Sequence, residues 1–72
     1  MNHYHINIFF SEDDGCYVAD TPDLSNCSAF GDTPQEALEE MLTAQKLWLD
    51  EALESGAIIP VPKFRPMIYQ IN

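Results

Sequence analysis

Residues 31–38 read GDTPQEAL and mark the start of a long predicted helix. Thr33 is suited to cap the helix, Pro34 to occupy its first position, and Glu36 to complete a Thr-x-x-Glu capping box. Apolar residues then recur at helical spacing until Gly56, which suits a left-handed C-terminal cap. The sequence therefore predicts a helix from residue 34 to about residue 55.

Three β-strands are predicted before this helix. Residues 3–10 alternate between two faces, and residues 16–19 and 27–30 are short runs with strand character. An Asp-Gly signal at residues 14–15 predicts a hairpin between the first two strands. Residues 67–71, after a proline-rich crossing, are predicted as a fourth strand.

The resulting order is β-β-β-α-β in a single domain of residues 1–72, which is an α+β fold. The first three strands form an antiparallel meander, and the long helix packs on one face of it. A right-handed crossover would place the fourth strand parallel to the first. The expected strand order is therefore 3-2-1-4.

Length and charge exclude several classes of function. The chain has 72 residues, with 12 acidic and 3 basic side chains and a net charge of −9. With so few cations it is not expected to bind nucleic acid directly or to lie on an anionic membrane, and a basic protein partner is expected instead. The sequence lacks a signal peptide pattern and a membrane-length apolar run, which favours the cytosol. Cys16 and Cys27 are predicted to be small thiols in the interior, with a bridge across a hairpin as the alternative.

Catalytic and metal-binding patterns are incomplete. Two-metal ribonuclease chemistry needs converging carboxylates, but the first strand offers Asn7 and residues 67–71 contain no carboxylate. His3 and His5 share a strand face, yet no further ligand is placed to complete a zinc site. We therefore expect no enzymatic activity, no metal and no cofactor.

The acidic residues of the helix are the strongest indication of function. Glu36 and Glu40 form a like-charge pair four residues apart, as do Asp50 and Glu54, and each pair costs about 0.2–0.5 kcal/mol. A small domain that keeps this repulsion is predicted to use its field to steer a basic partner. The candidate partner-binding residues lie on the helix and in the turn before the second strand: Glu36, Glu39, Glu40, Asp50, Glu51, Glu54, Asp13 and Asp14.

Apolar residues outside the expected core predict self-association. Leu47 lies among the helix acids, and Phe9 falls on the sheet face away from the helix. Because the core of so short a chain is thin, a homo-oligomer is expected, and a dimer in particular. Gln45 interrupts the apolar stripe, so either the stripe is wider than the sheet or its amide has a partner. The candidate self-association residues are Phe9, Leu47, Trp48 and Tyr69.

Motifs along nearly the whole chain resemble the HicB family of antitoxins. They are Tyr17-Val18-Ala19, Pro22-Asp23-Leu24, residues 27–33, Glu36-Ala37-Leu38, Trp48-Leu49, and the ending from Gly56 to Pro60-Val61-Pro62. The resemblance implies a partial ribonuclease H-like fold that forms oligomers and silences a basic HicA-type toxin, a ribonuclease that cleaves messenger RNA. Ser25-Asn26 stands where the family often has Pro-Gly. The sequence ends at Asn72 without the DNA-binding segment of many relatives, so DNA binding is not expected.

The favoured interpretation is a non-catalytic HicB-like domain that masks the basic surface of a toxin. The alternative is an orphan HicB-like homo-oligomer with an unknown ligand and no toxin partner. An RNA-processing enzyme is disfavoured because the carboxylates are missing from the strands.

Overall fold

A computed structural model of the chain describes residues 3–66. Three strands form an antiparallel sheet in the order β1-β2-β3, and one helix follows them. The α+β class and the antiparallel meander are thus confirmed. The predicted fourth strand at 67–71, and with it the order 3-2-1-4, lies outside the described residues. The elements are β1 (Asn7–Ser11), β2 (Cys16–Asp20), β3 (Ser28–Gly31) and α1 (Pro34–Ser55).

Strand β1 begins four residues later than predicted, and the pairing register explains why. Asn7 lies opposite Asp20, the last residue of β2. The next residue, Thr21, already belongs to a turn in which its N–H donates to the carbonyl of Cys27 at 3.1 Å. Residues 3–6 therefore lie beyond the end of the β1–β2 ladder, although Tyr4 and Ile6 still pack against the core.

The predicted bounds of α1 are confirmed, together with both of its caps. The Thr33 hydroxyl accepts a hydrogen bond from the Glu36 N–H at 3.1 Å, and the Glu36 carboxylate accepts one from the Asp32 N–H at 2.9 Å. At the other end Gly56 has φ = 76°, and the Ala57 N–H reaches the Ala52 carbonyl at 2.9 Å. These local bonds satisfy backbone groups that a helix end would otherwise leave unpaired.

Gly31 allows the first turn of α1 to pack directly on the end of β3. A Cβ atom at this position would overlap the backbone nitrogen of Ala37 and lie 2.8 Å from the Cβ of Glu36. Because backbone atoms cannot rotate away as a side chain does, a larger residue would push the helix off the strand.

The core lies between the sheet and the buried side of α1, which sits mainly over β3 and β2. Part of the predicted apolar stripe is not covered, since Leu42 and Leu53 are exposed. Gln45 has found a partner, because its amide donates to the Thr21 hydroxyl at 2.8 Å, and that hydroxyl is buried. The core residues are Ala19, Leu24, Cys27, Ala29, Ala37 and Met41.

The two cysteines are free thiols. Cys27 is buried and Cys16 is half-buried, so the prediction of interior thiols holds fully for Cys27 alone. Cys27 lies opposite Thr21, five residues beyond Cys16, which corresponds to about 17 Å along the strand. A disulfide requires the Cα atoms to lie within about 7 Å, so the alternative of a bridge across a hairpin is wrong for this fold.

Residues 57–66 have no regular secondary structure and return along the chain's first residues. One carboxylate oxygen of Asp23 accepts hydrogen bonds from the N–H groups of Lys63 and Phe64, both at 3.1 Å. The Tyr4 hydroxyl donates to the Pro60 carbonyl, and the Phe64 ring lies 4.7 Å from the His5 ring. Within residues 3–66, no helix combines the length and the apolar character needed to cross a bilayer.

Candidate functional site

Seven of the 12 acidic residues gather at one end of the molecule, which we call the acidic end. The hairpin register aligns Ser11 with Cys16, and the β2–β3 register brings Gly31 opposite Tyr17. The β1–β2 turn, the β3–α1 connection and the first turns of α1 therefore meet there. The acidic end consists of Glu12, Asp13, Asp14, Asp32, Glu36, Glu39 and Glu40.

Some of these carboxylates accept hydrogen bonds that shape the fold, whereas others are exposed to solvent. Asp14 accepts a hydrogen bond from the Ser11 hydroxyl at 2.8 Å and so shapes the turn, and the Glu36 carboxylate accepts one from the Asp32 N–H, one residue before the Thr33 cap. Glu39 and Glu40 are exposed side chains of the second helical turn. These two are therefore the members of the acidic end that can be changed with least effect on the fold.

The predicted acidic helix face is divided between the two ends of α1. A 22-residue helix is about 33 Å long, so Asp50 and Glu54 lie far from Glu36. Asp50 is also paired with Lys46, whose ammonium lies 3.1 Å from the carboxylate. The eight predicted partner-binding residues thus form two groups, and Glu36, Glu39 and Glu40 join Asp13 and Asp14 rather than Asp50, Glu51 and Glu54.

Strand β3 carries an open edge beside the acidic end. In an antiparallel ladder hydrogen-bonded pairs alternate with non-hydrogen-bonded pairs. The bond from Thr21 to Cys27 sets this alternation, so Ser28 and Phe30 belong to non-hydrogen-bonded pairs with β2. Their N–H and carbonyl groups therefore point away from β2, toward the outer side of β3. Within residues 3–66 no strand lies on that side.

A groove of about 460 Å³ lies between the start of β3 and the second half of α1. Trp48 and Leu47 form part of its wall, Ala44 and Ala52 are small residues along it, and Glu51 is the carboxylate among its lining. The Trp48 indole is fixed by a hydrogen bond from its N–H to the Ser25 carbonyl at 2.9 Å. We call this the Trp48 groove.

A second groove, of about 520 Å³, lies at the opposite end of β3 and within the acidic end. Glu36, Glu39, Glu40 and Asp32 line it, so its wall is strongly negative. We call it the acidic groove. The open edge of β3 therefore runs between one largely apolar groove and one acidic groove.

The predicted self-association residues do not form one surface. Phe9 is 52% exposed and lies opposite Val18, on the sheet face away from the helix, where Phe30 completes a row across the sheet. Leu47, which is 64% exposed, and Trp48 line the groove beside β3 instead. Tyr69 lies outside the described residues.

His5 and Cys27 are engaged in local contacts within the fold. The His5 ring nitrogen Nε2 lies 2.7 Å from the Asn7 side-chain oxygen. Burial raises the pKa of the Cys27 thiol, so this side chain stays protonated at neutral pH. Among residues 3–66, no three His, Cys, Asp or Glu side chains converge so as to hold a metal ion.

Sequence reasoning missed the grooves and the open edge because they depend on register. The strand character of residues 27–30 and the helix start at Thr33 predict β3 and α1 separately. The grooves beside β3 form only because α1 lies over that strand, and the close approach at Gly31 determines this position.

Comparison with known proteins gives the family of the chain. The profile described as HicB_like antitoxin of bacterial toxin-antitoxin system matches residues 4–70. A curated relative, UPF0150 protein ssl0259 from Synechocystis sp. (strain ATCC 27184 / PCC 6803 / Kazusa), is 38% identical over 47 residues, which cover 65% of this chain and 64% of the relative. The match thus spans less than two thirds of that relative's length. No solved structure gives a significant match. Since the family profile covers nearly the whole sequence, the chain belongs to the HicB-like antitoxins of bacterial toxin–antitoxin systems.

Proposed function

We propose that this chain is an antitoxin that binds a basic, HicA-type ribonuclease toxin and covers its RNA-binding and catalytic surface. Family membership supports the antitoxin role. The observation that carries the masking mechanism is the acidic end, where three separate segments of the chain contribute carboxylates to one place. The three basic residues, Lys46, Lys63 and Arg65, belong to the middle of the helix and the C-terminal segment instead.

The proposed mechanism is electrostatic competition with RNA. A surface that binds RNA phosphates is itself basic, so clustered carboxylates attract it over several ångströms and speed the encounter. Once docked, the antitoxin occupies the volume that the RNA backbone would fill. Binding of this kind weakens as salt screens the charges. The chain acts here by binding protein rather than by catalysis, in the cytosol where messenger RNA is translated.

The alternative function is an orphan homo-oligomer, and one observation favours self-association. Phe9 and Phe30 are 52% and 54% exposed and flank Val18 in an uncharged row on the face away from the helix. Two copies joined through this row would bury apolar surface. Light scattering tests this directly: Phe9→Ser is expected to shift a dimer to monomer, whereas Leu53→Ser, at a comparably exposed helix position, should not.

The masking proposal predicts that a small basic protein is encoded beside this chain, and binding to that neighbouring protein tests the proposal. The variant Asp13→Asn/Glu39→Gln removes two charges from the acidic end, and Asp50→Asn/Glu54→Gln removes two from the far end of α1 as a matched control. At low salt the first variant should weaken the affinity about tenfold, and the control less than threefold. The gap should close as the salt concentration rises.

Two results would count against masking. Equal affinity of both variants with unchanged salt dependence would remove the acidic end from the mechanism. Failure of the unaltered chain to bind the neighbouring protein, combined with a stable homo-oligomer, would favour the orphan alternative.

A further inference from the structure

We infer that the open edge of β3 binds an extended, basic segment of a protein partner, which adds a fourth strand there. An apolar side chain of that segment fills the Trp48 groove, and lysine or arginine side chains enter the acidic groove. The inference deepens the proposed function and rests on it where the toxin supplies the segment.

The backbone of β3 provides the first part of the argument. The N–H and carbonyl groups of Ser28 and Phe30 point outward, and both residues are exposed. Outward groups on an exposed edge are the template that an added strand uses in β-augmentation. An added strand over the four residues of β3 is about 13 Å long.

The two grooves supply specificity along this edge. Alternate side chains of an added strand point toward the helix side, where the grooves lie. At the Ser28 end they meet the rigid Trp48 ring beside Ala44 and Ala52. At the Gly31 end they meet Glu39 and Glu40. A segment that fits has one bulky apolar residue and basic residues two or four positions away.

Charge argues against a second copy of the chain as the occupant. Pairing two β3 edges would join two chains of net charge −9 across a short contact with few cations, because the chain has 3 basic residues against 12 acidic ones. Like charges on facing strands are destabilising. The same charge favours a basic segment.

The described C-terminal segment does not occupy this edge. Its last residues lie near the end of the sheet where β1 begins, with Phe64 against His5 and the Lys63 N–H held by Asp23 of the β2–β3 connection. Within residues 3–66 no strand pairs with the outer side of β3.

Amide hydrogen exchange measured by NMR tests the edge directly. The first probe is a catalytically inactive form of the neighbouring basic protein. The second is a synthetic peptide in which threonine alternates with one leucine and two lysines, with glutamates replacing the lysines as its control. Each basic probe should slow exchange of the Ser28 and Phe30 amides at least tenfold, and the glutamate peptide should not.

Two matched pairs of variants separate edge pairing from general binding. Ser28→Pro removes an outward N–H without touching the bonds to β2, whereas Ser28→Ala keeps it. Leu47→Glu adds a charge to the wall of the Trp48 groove, whereas Leu53→Glu adds one at a residue that is 68% exposed and outside the groove. Ser28→Pro and Leu47→Glu should each weaken binding of both basic probes at least tenfold. The matched controls Ser28→Ala and Leu53→Glu should weaken it less than threefold.

The outcomes distinguish this inference from the proposed function. Tight binding of the neighbouring protein with no protection of Ser28 and Phe30 and no loss in Leu47→Glu would overturn the inference and leave masking intact. If the neighbouring protein does not bind, the masking proposal fails. The basic peptide alone then shows whether the edge of β3 binds an extended basic segment. Slow exchange of both amides in the free chain would also overturn the inference, because the edge would already be covered. If Ser28→Pro does not fold, Leu47→Glu and the exchange data still test strand addition at the edge of β3.

Discussion

The β1 side and the β3 side of the sheet are completed in different ways. Near the start of β1 the chain binds itself: Asp23, in the β2–β3 connection, holds the backbone of Lys63 and Phe64, and Tyr4 donates to Pro60. On the β3 side the outward groups of Ser28 and Phe30 lie between an acidic groove and the Trp48 groove. The first side uses hydrogen bonds within the chain, whereas the second concentrates charge that repels another copy of the chain.

The contrast between the two sides indicates how a small acidic domain can keep a strand edge exposed for binding. An exposed strand edge invites aggregation unless something discourages it. The carboxylates at the Gly31 end of β3 oppose pairing between identical chains, and under the proposed function the same field would attract a basic partner. Specificity and solubility then have a common physical origin.

The largest expected loss of folding stability comes from replacing Gly31, the glycine at the end of β3. Gly31→Ala forces a Cβ against the backbone of Ala37 and Glu36 and should destabilise the fold by about 3 kcal/mol. Gly15→Ala, in the β1–β2 turn, meets no atom within 4 Å but requires φ = 67°, and should cost about 1–2 kcal/mol. Urea denaturation measures both. A smaller loss for Gly31→Ala than for Gly15→Ala would contradict the close packing of α1 on β3.

The next effect tests how the β1 side is held. Asp23→Ala removes the acceptor of two backbone N–H groups and should cost about 1 kcal/mol. Exchange of the Lys63 and Phe64 amides should accelerate, while exchange in β3 stays unchanged. Asp13→Ala, at an exposed turn position, serves as the control and should alter stability by less than about 0.5 kcal/mol. Unchanged exchange at Lys63 in Asp23→Ala would refute this anchoring.

Smaller changes in stability and association rate are expected when single charges on α1 are removed. Glu40→Gln relieves repulsion with Glu36 and should raise the free energy of unfolding by about 0.2–0.5 kcal/mol. It should also slow association with the basic partner, because steering weakens. Glu54→Gln relieves repulsion with Asp50 by a similar amount and should leave association unchanged. Stopped-flow binding checks this; equal association rates for both variants would show that the position of the charge is irrelevant.

The smallest effect concerns the thiols. Burial raises the pKa of Cys27 above the ordinary value of 9.0, since the charged form loses hydration. The unfolded thiol therefore ionises first, so the contribution of Cys27 to stability is complete at neutral pH and falls as the pH rises through 9. Alkylation at pH 8 should modify the half-buried Cys16 roughly tenfold faster than Cys27. Equal rates, measured by mass spectrometry, would contradict this burial.

Local signals explain which parts of the fold were predictable from sequence. The bounds of α1 follow from Thr33, Pro34 and Gly56, whose capping bonds involve neighbours in the chain. The start of β1 was predicted wrongly at His3, because the length of a strand depends on its partner. β2 stops at Asp20, where the Thr21 turn begins, and alternation within β1 carries no record of that.

The acidic residues of the candidate site are visible in the sequence, but their arrangement in space is not. The excess of acidic residues indicated a basic partner, yet Asp50 and Glu54 were grouped with Glu36 although most of the helix length separates them. The role of Asp23 was also missed, because its partners lie 40 residues further along the chain. Contacts between distant segments leave little trace in the local pattern.

The single tryptophan of the chain gives the β3 side its own optical signal. Trp48 is half-buried, its indole is held by the Ser25 carbonyl, and it forms a wall of the groove. An indole moving from partial hydration to an apolar contact emits at shorter wavelength. Occupancy of this groove can therefore be followed by native fluorescence at high dilution, without a label.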